Sequence, residues 1–458
     1  MKKSSAPLNL GVLPIGKLLM QYAVPAVIAM TAASLYNITD SIFIGHGVGP
    51  LALSGLAITF PLMNLAAAFG SLVGMGGAAL LSLRLGQKDY ESANKILGNV
   101  LVLNIVIGIL FTVLSYIFLE PMLYFFGADN DVFAYAYDFM VIILAGNVVT
   151  HIYMGLNTLL RSAGHPKKSM YATITAIIIN IILNPLFIFG FGWGIRGSAL
   201  ATVISQSVVL VWQFKLFSDK ESFIRFKKGI YKLKSEIVRG IISIGLAPFL
   251  LNAVACVVIV LVNRQLNYYG SGIAVGAYGI VNRVAFLFVM LVFGINQGMQ
   301  PIAGYNYGAA LYSRVTEVLK KSIILATAIM TVGFIFVELF PHAVASIFTT
   351  DEELVNLTAK GLRYTFIFFP LIGFQMVTTT FFQSIGMAVK TIFLTLTRQV
   401  LFLIPLLIIL PRYFDINGVW LSMPISDFAA VFLAAALLFM QYRKFKKSSE
   451  PKKEIAQP

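Results

Sequence analysis

Charge is scarce in this chain. Only 12% of its 458 residues are Asp, Glu, Lys or Arg, while 58% are apolar. A soluble globular chain carries about 25% charge, and no soluble fold of this length could hide so much apolar surface. The solvent is therefore lipid, and the usual relation between chain length and number of soluble domains does not apply. Cysteine is nearly absent too: Cys256 stands alone inside an apolar run. That excludes an internal disulfide and a thiolate metal site, and leaves a small buried hydrophobe. The four histidines (His46, His151, His165, His342) are scattered without HExxH or i, i+4 pairing. Neither GxxxxGKS/T nor GxSxG occurs. These absences argue against an enzyme, against a cofactor or resident metal, and against an ATP site. Any transport must draw on an ion gradient or a separate subunit.

What is present is a series of long apolar runs. A spanning helix needs about 20 mostly apolar residues. Twelve runs qualify, at 15–44, 50–83, 94–119, 133–160, 168–192, 196–217, 239–267, 272–304, 315–341, 353–385, 391–411 and 417–441. The first is too long for a signal peptide and has no cleavage site, so it is retained. Pro25, Pro61 and Pro248 lie inside runs and are expected kink sites.

The net charge of +15 is distributed as topology, not as a nucleic-acid surface. With the N-terminus inside, the inner segments hold Lys2, Lys3 and Lys17; Arg84, Lys88 and Lys95; Arg161, Lys167 and Lys168; and the run from Lys215 to Arg239. Arg314, Lys320, Lys321, Lys390 and the tail from Arg443 to Lys453 follow. The outer loops carry Glu120, Asp129, Asp131, Asp351, Glu352 and Glu353. Both termini are expected in the cytoplasm, with the basic segments against anionic membrane lipid.

The basic segment 218–238 divides the chain into an N-terminal lobe, 1–217, and a C-terminal lobe, 239–458. The lobes repeat. Pro25 aligns with Pro248 at an offset of 223, Gly164 with Gly386 and Lys168 with Lys390 at 222, and Gly197 with Gly418 at 221. A unit of six spans re-enters from the same side. The expectation is an all-α polytopic protein of two parallel six-helix repeats, related by a pseudo-two-fold axis along the membrane normal. A central cavity between them would open alternately to either side as the lobes rock.

An ionisable side chain at membrane depth costs about 2.5–3.5 kcal/mol on insertion scales, so each one is a functional candidate. Asp40, in SLYNITDSIF, leads. Tyr36 and Asn37 precede it by four and three positions and are expected on its helical face. A phenol, an amide and a carboxyl converging there can bind a proton, a sodium ion or a cationic ligand. Asp138 and Glu338 sit near helix ends and are expected to reach the interface.

On the fifth run, Asn180 and Asn184 project together at i, i+4, and Pro185 frees a backbone carbonyl in the preceding turn. They form either a cation-coordinating wall, to which Thr202 could add a hydroxyl, or interhelical glue worth about 0.6 kcal/mol per bond. Asn157 joins the candidate cavity residues. The second half differs in chemistry. The Asp40 position maps onto Asn263, and Arg283, Arg398 and Asp427 lie at depth there. They are either an Arg–carboxylate pair or a substrate-coupling group. The glycines of GSLVGMGGAA are expected to permit close helix packing.

The segments SLYNITDSIFIG, GMGGAALLSLRLGQKD, LLRSAGHPKKS and NIILNPLFIFGFGWGIRGSALAT occur in that order. Together they resemble the multidrug and toxic compound extrusion (MATE) family, across nearly the whole chain. The resemblance implies a monomeric antiporter in the bacterial plasma (inner) membrane that exports small organic cations in exchange for H⁺ or Na⁺. It also implies that Asp40, Asn180, Asn184 and Thr202 form the coupling-cation site, which Na⁺ could occupy at Asp40, Asn180 and Asn184. Some members have Asp where this chain has Asn184, so a two-carboxylate relay is not expected. The acidic residues of the NorM-like branch in the seventh and tenth helices are missing, which brings the chain nearer the DinF-like and MepA-like exporters. The alternative within the superfamily is a lipid-linked oligosaccharide flippase.

Overall fold

The computed structural model describes residues 6–270 and 272–449. Lys2, Lys3, Lys452 and Lys453, counted above among the inner basic residues, lie outside them, as do both ends of the chain. The described residues are almost wholly helical. A short α1 (Ala6–Val12) leads into α2 (Ile15–Gly47), α3 (Pro50–Gly86), α4 (Tyr90–Ile117), the short α5 (Leu119–Phe125) and α6 (Asn130–Ser162). Then come α7 (Pro166–Pro185), α8 (Gly194–Ser218), α9 (Ser235–Tyr269), α10 (Gly272–Gly308) and α11 (Tyr312–Leu339). After a one-turn α12 (Pro341–Ser346), the described residues end in α13 (Glu352–Phe366), α14 (Phe369–Ser384), α15 (Ala388–Leu396), α16 (Ile404–Ile409) and α17 (Pro411–Ser449).

Eleven segments among the described residues are long and apolar enough to span a membrane, and the bent pair α13–α14 makes a twelfth. Lipid is the solvent for their many outward apolar side chains, and the chain is a multi-pass membrane protein. Pro25, Pro61 and Pro248 all sit inside continuous helices. The sharp bend, 51°, falls instead between Phe366 and Phe369. Pro370 explains it: as an early residue of α14 it offers no N–H and disfavours helical backbone just before it. A second break lies within α17, where Asp415 takes a left-handed φ of 49°.

Acidic residues start several helices. Asp89 accepts from the Ser92 N–H at 3.0 Å, Asp129 from Val132 at 2.9 Å and Asp351 from Leu354 at 2.8 Å. Each satisfies an orphan donor of a helix first turn. Asp138 and Glu338 pair with Arg196 and Arg363 at 2.7 and 3.8 Å, as suits helix ends at an interface.

Helices α3, α9, α10 and α2 join the first half of the chain to the second, and glycine permits their approach. A Cβ on Gly76 of α3 would stand 2.1 Å from the Ile241 carbonyl oxygen, and one on Gly245 of α9 would stand 1.7 Å from that of Leu72. The backbones touch where these two glycines cross. The turns after α6 and α14 both depend on a glycine in the left-handed region, Gly164 at φ 96° and Gly386 at φ 77°.

The basic segment is shorter than its composition suggests, because α9 already begins at Ser235. It is tied to α4 by two buried asparagines. Asn94 donates to the Phe223 carbonyl at 3.2 Å and accepts from the Arg225 N–H at 2.9 Å. Asn99 donates to the Ile230 and Lys232 carbonyls and accepts from the Lys234 N–H at 3.0 Å.

Candidate functional site

Three elements build the site: the C-terminal part of α2, the end of α7 and the start of α8. At Pro185 the α-helix gives way to a π turn, Leu186–Gly190. Such turns are frequent at functional sites, where they re-aim side chains. The turn follows directly on Asn184, which is fully buried, as Asn180 nearly is.

Asp40 is 9% exposed. The Asn184 amide donates to its Oδ1, and the Ser198 hydroxyl donates to the same oxygen at 2.8 Å. Four residues on along α8, the Thr202 hydroxyl donates to the Ser198 carbonyl at 3.2 Å. Its one proton being spent, its oxygen accepts from the Asn180 amide at 3.0 Å and from the Tyr36 hydroxyl at 3.1 Å. Tyr36, Asp40, Asn180, Asn184, Ser198 and Thr202 thus form one polar network across three helices. Two acceptors in it are unspent, since the Asn180 and Asn184 amide oxygens are buried without a hydrogen-bond partner. No Lys, Arg or His pairs with Asp40 among the described residues. The oxygens present (carboxylate, two open amides, hydroxyls) suit a hard cation or a proton.

The network brings together the expected Asp40, Asn180, Asn184, Thr202 and Tyr36. Asn37 does not join. It is exposed, and its side chain has no hydrogen-bond partner among the described residues. The reason is helical geometry: at 100° per residue Tyr36 and Asn37 flank Asp40 on opposite sides, and α7 and α8 cover only the Tyr36 side. Ser198 was missed because a serine costs little in a span. The signal was its i, i+4 spacing to Thr202 on α8.

Beside the network lies a cavity of about 310 Å³ lined by residues of α2, α6, α7 and α8 and by Gln297 of α10, including Tyr36, Asn157, Asn180 and Thr202. Asn157 donates to the Thr173 hydroxyl at 2.9 Å, and its own amide oxygen is buried and unpartnered. Arg161 also lines this cavity, although the sequence placed it with the topological charges of a loop. It occupies the last turn of α6, is 6% exposed, and its guanidinium has no partner among the described residues.

In the second half, Arg398 and Asp427 form an ion pair at 2.6 Å, which favours the structural reading of the two. Arg398 sits in a second π turn, Thr397–Leu403, and both residues line a cavity of about 390 Å³. Arg283 belongs to neither cavity. The buried stripe of α10 there is Ala277, Ile280, Val281 and Val284, and Arg283 projects from another face, exposed. Cys256 is only half-buried. No cluster of three His, Cys, Asp or Glu able to hold a metal occurs among the described residues.

The MatE family model matches residues 25–186 and again 244–409. The chain belongs to the MatE family. A multidrug export protein, MepA, of Staphylococcus haemolyticus is 26% identical over 425 residues, covering 93% of each chain. MepA of Staphylococcus aureus is 24% identical over 93% of this chain and 94% of its own. The expected MepA-like branch is thus met. Among solved structures, an outward-facing multidrug resistance MATE family transporter superposes with a TM-score of 0.91 at 23% identity, covering 98% of this chain and all of the other. A MATE in the bent conformation gives 0.92 at 24% identity. The fold is that of the MATE transporters.

Proposed function

We propose that this MatE protein is a secondary antiporter that exports organic cations and drugs in exchange for protons. The observation that carries the reading is Asp40: a buried carboxylate held by two neutral donors, with no cation beside it among the described residues. A charge so placed is costly without a counter-charge. A proton, a sodium ion or a cationic ligand supplies it, and none can share the site with another. Loading one displaces the next, which is the requirement of exchange. The lone carboxyl among amides favours the proton. The adjoining cavity has the volume of a drug site, which supports a small molecule over a lipid-linked oligosaccharide. The relatives named as multidrug export proteins support the same substrate class.

The exchange needs two bodies. The lobes are 1–217 and 239–458, joined by 218–238, as parallel six-helix repeats about an axis along the membrane normal. Support comes from the twofold match of the family model and from turns of like conformation at a constant offset, Gly164 with Gly386 and Lys88 with Ala310. Both termini lie in the cytoplasm, and the protein works as a monomer in the bacterial plasma membrane. The glycine contacts between halves gather near the basic loops. Gly86 meets Tyr305 and Gly308 meets Leu83, in addition to the Gly76–Gly245 crossing, and Arg84 pairs with Glu236 at 2.8 Å. This supports a state closed toward the cytoplasm, from which rocking opens the cytoplasmic side.

The test is ethidium efflux from proteoliposomes under separately imposed proton and sodium gradients. A proton gradient drives efflux in the wild type. Asp40→Asn inserts and stays monodisperse but shows none. Undiminished efflux in that variant removes Asp40 from the mechanism, and efflux driven by sodium alone reassigns the coupling ion.

A further inference from the structure

The basic segment between α8 and α9 is folded as well as charged. Asn94 and Asn99 of α4 pin its backbone at two points. Ile224 and Ile230 are buried, and the Phe226 ring packs against Phe214 and Phe217. Charges that serve topology alone need no such shape. Between this segment and the first turns of α4 lies a cavity of about 840 Å³. Its lining holds five cations, Lys95, Lys220, Arg225, Lys227 and Lys228, against two acids, Glu91 and Glu221. Glu91 is already spent on Lys95. The other four cations form no ion pair among the described residues. Arg225 donates one guanidinium N–H to the Lys220 carbonyl and keeps the rest. Lys234 adds to the crowding: contact with Lys95, and then its charge, pulls Lys234 below the ordinary lysine value. More positive charge is gathered here than the neighbouring acids can balance.

We infer that this cavity binds an anionic phosphate ester, carried by a membrane lipid headgroup or by a soluble molecule. The Arg225 guanidinium can meet two phosphate oxygens at once, and the lysines act as point charges around them. Tyr90 and Phe223, stacked with centroids 5.7 Å apart, give the lining an apolar surface for the glyceryl or sugar part. The volume is that of a small-molecule site. The cavity stands where α4 enters its apolar run, at residue 94, which puts lipid headgroups within reach. Lys95 belongs to α4, whereas Arg225, Lys227 and Lys228 belong to the segment that joins the two halves of the chain. A phosphate held by both fixes that connection at a distance from Asp40. The inference stands apart from the antiport reading and needs no coupling ion.

The test is thermal unfolding of the purified full chain in a non-ionic detergent, titrated with three probes. They are dihexanoyl phosphatidylglycerol, dihexanoyl phosphatidylcholine, whose choline neutralises the same phosphate, and glycerol phosphate. A ligand of the folded state raises the melting temperature with its concentration. Phosphatidylglycerol, glycerol phosphate or both should do so, and phosphatidylcholine should not. A response to phosphatidylglycerol alone assigns the lipid source, and a response to glycerol phosphate assigns a soluble one. Lys227→Gln with Lys228→Gln changes two exposed side chains and should weaken the apparent affinity roughly 30-fold, the weight of two cations close to an anionic group. Lys320→Gln with Lys444→Gln removes the same charge from exposed positions outside the cavity. At about 0.15 M salt, where exposed charges more than about 8 Å apart are screened, that pair should leave the affinity nearly unchanged. The inference fails if neither anionic probe raises the melting temperature or if phosphatidylcholine matches phosphatidylglycerol. It fails equally if the two pairs of substitutions weaken binding alike, since that is a diffuse positive field and not a site.

Discussion

Consider Gly245→Ala. The added methyl carbon would lie 1.7 Å from the Leu72 carbonyl oxygen, where carbon atoms never come within 3.0 Å, so α3 and α9 must part by more than an ångström. The obstacle is backbone on a helix, which cannot rotate aside as a side chain can. Overpacking of this kind costs about 1–3 kcal/mol. If the crossing exists only while the cytoplasmic side is shut, that cost falls on one conformer alone. At 1.4 kcal/mol per decade, a bias of about 2 kcal/mol shifts the two populations roughly 30-fold. Spin labels at Lys88→Cys and Ser313→Cys in a Cys256→Ser background report the separation of the two halves at the basic face. The short-distance population should dominate in the parent and give way to the long one in Gly245→Ala. Gly240→Ala is the control: its methyl would meet only the end of the Leu80 side chain, at 3.0 Å, and the distribution should hold. An unchanged distance distribution in folded Gly245→Ala would refute the claim that this crossing opens during transport.

Two further outcomes concern stability. Asp427 is almost fully buried against Arg398, so Asp427→Asn strands a guanidinium and should cost about 3–5 kcal/mol, whereas the double change Arg398→Met with Asp427→Leu should recover most of it. Melting temperatures in detergent decide, and a double variant as unstable as the sum of the singles would count against the pair. His165, just before α7, is held neutral by burial and then by Lys168, its pKa pushed down to about 4. Because the folded value is depressed, its contribution to stability is complete above the ordinary value of about 6.5 and is lost as pH falls toward 4. A melting-temperature profile across that window should flatten in His165→Gln, and an equally steep one would assign the acid sensitivity elsewhere.

The sequence exposed those parts of this protein that are expensive. Asp40, Asn180 and Asn184 were visible because a carboxyl or amide in an apolar run has to be justified by a partner, and Thr202 because it falls within reach of them. Spacing alone was a weaker guide. Asn37 satisfied the i+3 rule and still points away, since which flank of Asp40 is covered depends on where α7 and α8 land. Ser198 was hidden by its cheapness. The same holds for bends: Pro25, Pro61 and Pro248 marked places where a helix could break, while the break belongs to Pro370, at the junction of two shorter helices.

Arg161 shows why a charge near a span end is the hardest to read. With Lys167 and Lys168 following, it has the sequence context of a topological signal, and a cationic loop residue needs no further reason to exist. Only the three-dimensional arrangement separates it from its neighbours: they stay at the surface or half-buried while it closes one end of a cavity. Asp40 and Arg161 are then complementary cases. Each is a charge in the first half of the chain with no counter-charge among the described residues. In the second half, Arg398 and Asp427 balance one another. In the proposed antiport, this unequal charge satisfaction lets one half take up ligand and ion while the other supplies a partner to move against.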